Sequence, residues 1–149
     1  MEDVKNEIQD RLTLRSELSE IARIPPWIEA LAASYSISPN TQFAMNLCLE
    51  EALSNVIRHG YGGAANRSLR VSFAAPRGSF EFVVEDEAPA FNPLNVPNGV
   101  ALDPDGQIRI GGQGIHLMRQ FADRIQYERT ATGNRLLLSF SARGPEGAV

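Results

Sequence analysis

The chain has little of several things that would settle its chemistry at once. It carries one cysteine, Cys48, in 149 residues, which removes a disulfide framework and a thiolate metal site from consideration. Set in an apolar helical run, Cys48 reads as a packing residue. No stretch approaches the roughly 20 uncharged apolar residues needed to cross a bilayer, and the N-terminus is charged where an export leader would be apolar. Lys and Arg form no block, and a net charge of −4 with a pI near 5.2 leaves no broad basic surface to neutralise phosphates. Neither nucleic acid nor membrane is therefore an expected partner, and a soluble cytoplasmic protein is the default. What is present is core material: 43% of residues are hydrophobic, enough for one core and hardly two, so a single domain over 1–149 is expected.

Periodicity organises the chain. Leu12 to Arg15 alternates like a short strand, and Ser16, Ser19 and Glu20 mark a helix start. Apolar residues then recur at helical spacing from Glu17 to about Ser34, interrupted by Pro25 and Pro26, which predict a kink or two shorter helices. Pro39 and Asn40 mark a break, after which a second helix is expected from Thr41 to His59. The runs LRVSFAA and FEFVVED, separated by Pro76, Arg77 and Gly78, have the composition of a hairpin. Pro89 to Arg109 shows neither period and reads as a long loop. A third helix follows the glycines at 111 to 114 through IHLMRQFAD. RIQYER and RLLLSF form a closing hairpin around Thr132, Gly133 and Asn134, ahead of a Gly/Pro-rich tail expected to fray from about residue 142. This order predicts an α+β two-layer sandwich, a mainly antiparallel sheet with helices covering one face. No internal repeat is seen.

Three places carry potential chemistry. In MNLCLEEALSNVIRHGYGG, Glu51, Asn55 and His59 recur at four-residue spacing, which on a helix stacks a carboxylate, an amide and an imidazole on one face. The apolar residues around them would cover that helix on several sides, and polar groups in such a place need partners or a ligand. A solvated face would show the same spacing. Gly111, Gly112, Gln113 and Gly114 open the third helix, where free backbone amides can receive an anion such as phosphate, although glycines also simply shape tight loops. It is neither a Walker A sequence nor a dinucleotide fingerprint. Asp86 ends FEFVVED beside a turn-forming apolar segment, where a carboxylate can accept from an exocyclic amine while aliphatic walls cover a flat ring; a solvated Asp starting a turn is the plainer alternative.

Taken together, the order and spacing of EEALSNVIRHGY, EDEAPAFNP and GGQGIHLMRQFAD with YERTATGNRLLL resemble the ATP-binding anti-sigma-factor serine/threonine kinases, the RsbW-like branch of the GHKL superfamily that also includes histidine kinases and gyrase. The resemblance covers most of the chain and implies the two-layer ATPase fold of the Bergerat type. It implies that Glu51 acts as general base and Asn55 coordinates Mg2+, with His59 structural. Glu51 takes the role over Glu50 because only Glu51 shares the Asn55 face. By the same resemblance Asp86 recognises the adenine amino group, and Ala88, Phe91, Asn92 and Pro93 continue that pocket. Leu94 to Ile110 would form the ATP lid, with Arg109 a charge partner, and Gly111, Gly112, Gln113, Gly114 and Ile115 would meet the phosphates. Two departures stand out. Ala88 replaces the usual glycine, adding a methyl group against the expected base, and Asn134 follows Gly133 where a threonine is common. The reaction implied is phosphoryl transfer from ATP to a serine or threonine of a STAS-type anti-sigma-factor antagonist. A sigma factor is the implied alternative partner, and homodimerisation through the N-terminal strand and helix is implied as well. The competing expectations are a nucleotide-binding module that sequesters a partner without transfer, and a detached histidine-kinase catalytic domain.

Overall fold

The computed structural model describes residues 7–90 and 118–142 in full, and the short strands 101–102 and 108–109 by their backbone. Chain order begins with β1 (Ile8–Arg15), a 3-10 segment (Leu18–Arg23), α1 (Ile24–Tyr35), α2 (Pro39–Asn55) and a π-helical turn (Val56–Gly60). It continues with β2 (Ser68–Ala74), β3 (Ser79–Asp86), β4 (Ala101–Leu102), β5 (Ile108–Arg109), a helical turn at residues 118–121, β6 (Arg124–Arg129) and β7 (Asn134–Ser141). Five strands form one sheet in the order β1-β2-β3-β7-β6, every neighbouring pair antiparallel. The helices pack on one face of it, the expected α+β two-layer arrangement.

Local chemistry explains the helix boundaries. Pro25 and Pro26 sit in the first turn of α1, where a fixed φ and a missing donor cost nothing. The prolines therefore start a helix rather than kink one, and the residues before them close into a separate 3-10 turn. Pro39 is likewise the first residue of α2, after Ser38, whose hydroxyl accepts from Thr41 N at 3.2 Å. The expected break at Pro39 is thus the start of the helix. At its other end α2 stops being α-helical at Val56. The Tyr61 amide reaches back to Val56 O at 2.7 Å, an i to i+5 closure that widens the turn. This alters one expectation: His59 lies in the widened turn and is exposed, while Asn55 is buried, so the imidazole does not continue the buried polar face.

The segment read as a featureless loop from Pro89 to Arg109 contains the β4–β5 pair, Ala101 opposite Arg109 and Leu102 opposite Ile108. Two-residue strands are too short to carry a period. The core lies between sheet and helices. Met45, Cys48, Leu49 and Leu53 of α2 and Ile24 and Ile28 of α1 meet Val71, Phe73, Phe82, Leu138 and Phe140 of the sheet. Phe82 is central, packing its ring on Trp27, Phe73 and Phe140 with centroids 5.2 to 6.1 Å away. Among the described residues no helix is long and apolar enough to cross a membrane.

Candidate nucleotide site

The strand register builds the site. Leu14, Leu69, Asp86, Asn134 and Arg129 lie opposite one another across β1, β2, β3, β7 and β6. They form the last row of the sheet, and they follow the alternation that turns Phe80, Phe82 and Val84 into the core. The row is apolar over its first two strands and polar over the last three. The turn between β6 and β7 folds tightly over this end. A Cβ on Gly133 would stand 1.7 Å from the Asp86 carbonyl oxygen, so only glycine permits the approach.

Asp86 is 8% exposed. Its Oδ1 accepts from Ala88 N and from Asn134 Nδ2, both at 2.8 Å. Burial pushes its carboxyl above the usual carboxylate range, and the hydrogen bonds from Asn134 and Ala88 pull it partly back by favouring the charged form. Asn134 Nδ2 also lies 3.2 Å from Ala88 O and 3.1 Å from Pro89 O. The Tyr127 hydroxyl donates to Asn134 Oδ1, and Arg129 Nη1 donates to Ala88 O at 2.8 Å. On the other side, Tyr61 donates its hydroxyl to Ser68 O and accepts from Glu87 N, each at 2.8 Å.

The methyl group of Ala88 is 1% exposed. It lies beside Gly60, where an added Cβ would come within 3.3 Å of it. The departure at position 88 is thus matched by a glycine at the end of the helix that carries Glu51 and Asn55, and this contact joins the two motifs. Asn55 is 7% exposed, and its Nδ2 is buried without a hydrogen-bond partner among the described residues. The two ends of an amide exchange by a half-turn, and a buried amide with an unpaired end is what a ligand-binding side chain shows. That fits a hard cation such as Mg2+, which needs one or two protein oxygens. One turn earlier, Glu51 is half-buried at the edge of a cavity of about 410 Å3 with Leu18, Ile21, Asn46, Ser54 and Arg58. Its carboxyl is raised by burial and then by Glu50, with Arg58 opposing.

Of the residues expected at the site, Asn55 is buried at the end of α2, Asp86 and Ala88 are buried at and just after the end of β3, and Glu51 lines the cavity beside the 3-10 segment. Arg109 is placed on β5 by its backbone alone. Phe91, Asn92, Pro93, Gly111, Gly112, Gln113, Gly114 and Ile115 lie outside the described residues, as does most of the segment read as a lid. The residues that sequence reasoning missed are Tyr127 and Arg129, and it left the role of Asn134 open. Tyr127 and Arg129 alternate along β6 and so share a face, but only the register with Asn134 shows that this face closes on Asp86.

A five-stranded antiparallel sheet covered on one face by helices in this order is the two-layer sandwich of a kinase-like ATPase. The histidine kinase-like ATPase domain matches residues 14–140, and the chain belongs to that family. It is 30% identical over 123 residues to the serine/threonine-protein kinase BtrW of Bordetella bronchiseptica, covering 80% of this chain and 84% of that protein. It is 22% identical over 125 residues to the anti-sigma F factor of Geobacillus stearothermophilus, covering 84% of each. Among solved structures it resembles the RsbU and RsbW domains of Rv1364c from Mycobacterium tuberculosis, with a TM-score of 0.59 at 13% identity. That match covers 95% of this chain and 35% of the other, so this chain spans about a third of it. The Acinetobacter baumannii histidine kinase AdeS gives a TM-score of 0.51 at 13% identity, covering 91% and 69%.

Proposed function

We propose that this chain is an ATP-dependent serine/threonine protein kinase that acts as an anti-sigma factor, phosphorylating a STAS-type antagonist. The observation that carries the reading is the pairing on α2 of a buried Asn55 amide whose Nδ2 is unpaired among the described residues with a Glu51 carboxyl raised by burial, on a helix whose end lies beside the segment after Asp86. The names of the relatives, one a serine/threonine-protein kinase and one an anti-sigma factor, supply the acceptor class and the regulatory setting.

In this reading Asp86 accepts from the adenine amino group at the end of β3, and the segment from Ala88 onward covers the ring. Asn55 would hold Mg2+, which when bound offsets charge on the transferring phosphoryl group. Glu51 takes the proton of the acceptor serine as its oxygen bonds to the γ-phosphorus and the bond to the ADP oxygen breaks. A carboxylate raised by burial is a stronger base than an exposed one, and it must still be ionised to act. Arg109 and the glycines at 111 to 114 would attend the phosphates. A sigma factor as second partner follows the same family logic, and β1 as an edge strand supports a homodimer formed along it.

The test is transfer of labelled phosphate from ATP to candidate STAS proteins, wild type against Glu51→Ala. Labelling by the wild type, lowered about 100-fold or more in the variant, is expected. A wild type that binds ATP and labels nothing contradicts the kinase reading and makes the chain a sequestering module. Acid-labile label on the acceptor, the mark of phosphohistidine, would instead assign the chain to the histidine kinases.

A further inference from the structure

The cavity of about 410 Å3 beside Glu51 has two walls of different chemistry. Leu18, Ile21 and Pro25, from the 3-10 segment and the first turn of α1, make an apolar wall on which Leu18 is left 45% exposed. Asn46, Glu50 and Ser54 make the other, recurring at four-residue spacing along α2 with Glu51 beside them. Asn46 donates Nδ2 to Gln42 O at 3.0 Å, which fixes the amide, because a flip would set two oxygens together. Its Oδ1 is then a buried acceptor with no partner among the described residues. The Ser54 hydroxyl gives its hydrogen to Glu51 O at 3.2 Å, so towards a ligand it can only accept. Glu50 and Glu51 add two carboxylates. The polar wall therefore presents acceptors alone as far as Arg58, which is the one cation among the described lining residues.

A wall of acceptors repels the phosphates of a nucleotide and suits a donor that carries positive charge. We propose that this cleft receives the serine-bearing segment of the protein acceptor, and that Glu50 with Asn46 selects a lysine or arginine beside that serine. The inference rests on the kinase reading given above and adds a sequence preference to it. Glu51, the base of that reading, lines the same cleft, so a segment lying there brings its hydroxyl to the carboxylate that takes the proton. The stem of a lysine or arginine can lie along Leu18, Ile21 and Pro25 while its head meets Glu50 and Asn46 Oδ1. After burial, the charge of Glu50 is what holds the Glu51 carboxyl up. A cation from the acceptor offsets that charge, so the base is ionised when its substrate is in place.

The experiment is phosphorylation by the full chain, with magnesium ATP, of short peptides that hold one central serine, a lysine or a glutamate fixed at each flanking position in turn, and mixed residues elsewhere. Candidate STAS proteins are run beside them. The ratio of lysine-peptide to glutamate-peptide labelling is read within each variant, which cancels any change in the base itself. Wild type is expected to prefer lysine about tenfold at a position next to the serine. Glu50→Lys should invert that preference, and Asn46→Leu should lower it by less. Leu18→Glu should raise the KM for every peptide about fivefold while the KM for ATP holds. A wild type with no preference for lysine, a preference that survives Glu50→Lys, or a peptide KM untouched by Leu18→Glu would overturn the inference. Labelling of a STAS protein with no labelling of any peptide would overturn it too, by placing recognition outside the segment around the serine. A wild type that labels neither proteins nor peptides defeats the kinase reading itself, a result distinct from all of these.

Discussion

The inner rows of the sheet and its last row face the same helices yet are built on opposite logic. The row through Phe73, Phe82, Leu138 and Ile125 is apolar across β2, β3, β7 and β6, and its side chains pack in the core with those of α1 and α2. The last row, through Leu69, Asp86, Asn134 and Arg129, begins as core and ends as a hydrogen-bonded chain that supports a buried carboxylate. Inner rows gain stability by leaving water. The last row gives some of it up, because a buried Asp86 with a raised carboxyl is costly. Such a charge persists where neighbours satisfy it, and Asn134 and Ala88 N do so.

That contrast can be broken from the core side first. Phe82→Ala empties the middle of the inner row and is expected to cost about 3–5 kcal/mol, seen as a large drop in the denaturation midpoint; a loss below about 1 kcal/mol would mean the ring is not where the core closes. Gly133→Ala attacks the last row. Its Cβ would collide with the Asp86 carbonyl at 1.7 Å, so a smaller loss of about 1–3 kcal/mol is expected, accompanied by weaker ATP binding. Unchanged ATP affinity in a destabilised Gly133→Ala protein would separate the turn from the site. The finest probe leaves both rows intact. Glu50 is the second cause, after burial, of the raised carboxyl at Glu51. Removing it as Glu50→Gln favours ionised Glu51, so the acid limb of the phosphoryl-transfer rate should move to lower pH. Arg58 opposes Glu50, so Arg58→Ala should move that limb the other way. Limbs that do not move, or that move together, would deny Glu51 the role of base.

The inner rows were legible in the sequence because they obey a period: the apolar run of α2 and the alternation in β2 and β3 predict both the elements and their buried faces. Boundaries were less so. Pro25 can interrupt a helix or begin one, and the choice depends on where the preceding turn ends, which composition does not record. The change from α to π geometry at Val56 leaves no trace in residue type, and it removed His59 from the face it was expected to share. At the candidate site, Glu51, Asn55 and Asp86 stood out because their motifs occur in a recognisable order. The support of Asp86 was not. Tyr127, Arg129 and Asn134 become neighbours of Asp86 only through the pairing of β3 with β7 and β7 with β6, a long-range register that a linear reading cannot supply. Ala88 shows the same limit, since its methyl group meets Gly60, a residue 28 positions earlier in the numbering.

The claim on which the rest stands is that the acidic end of β3 reads a purine by its amino group. Titration of wild type and Asp86→Asn with magnesium ATP and magnesium GTP measures it most directly. Tight ATP binding in the wild type, reduced about tenfold or more in the variant with GTP unaffected, is the predicted result; equal loss of both nucleotides, or no loss of either, would contradict it.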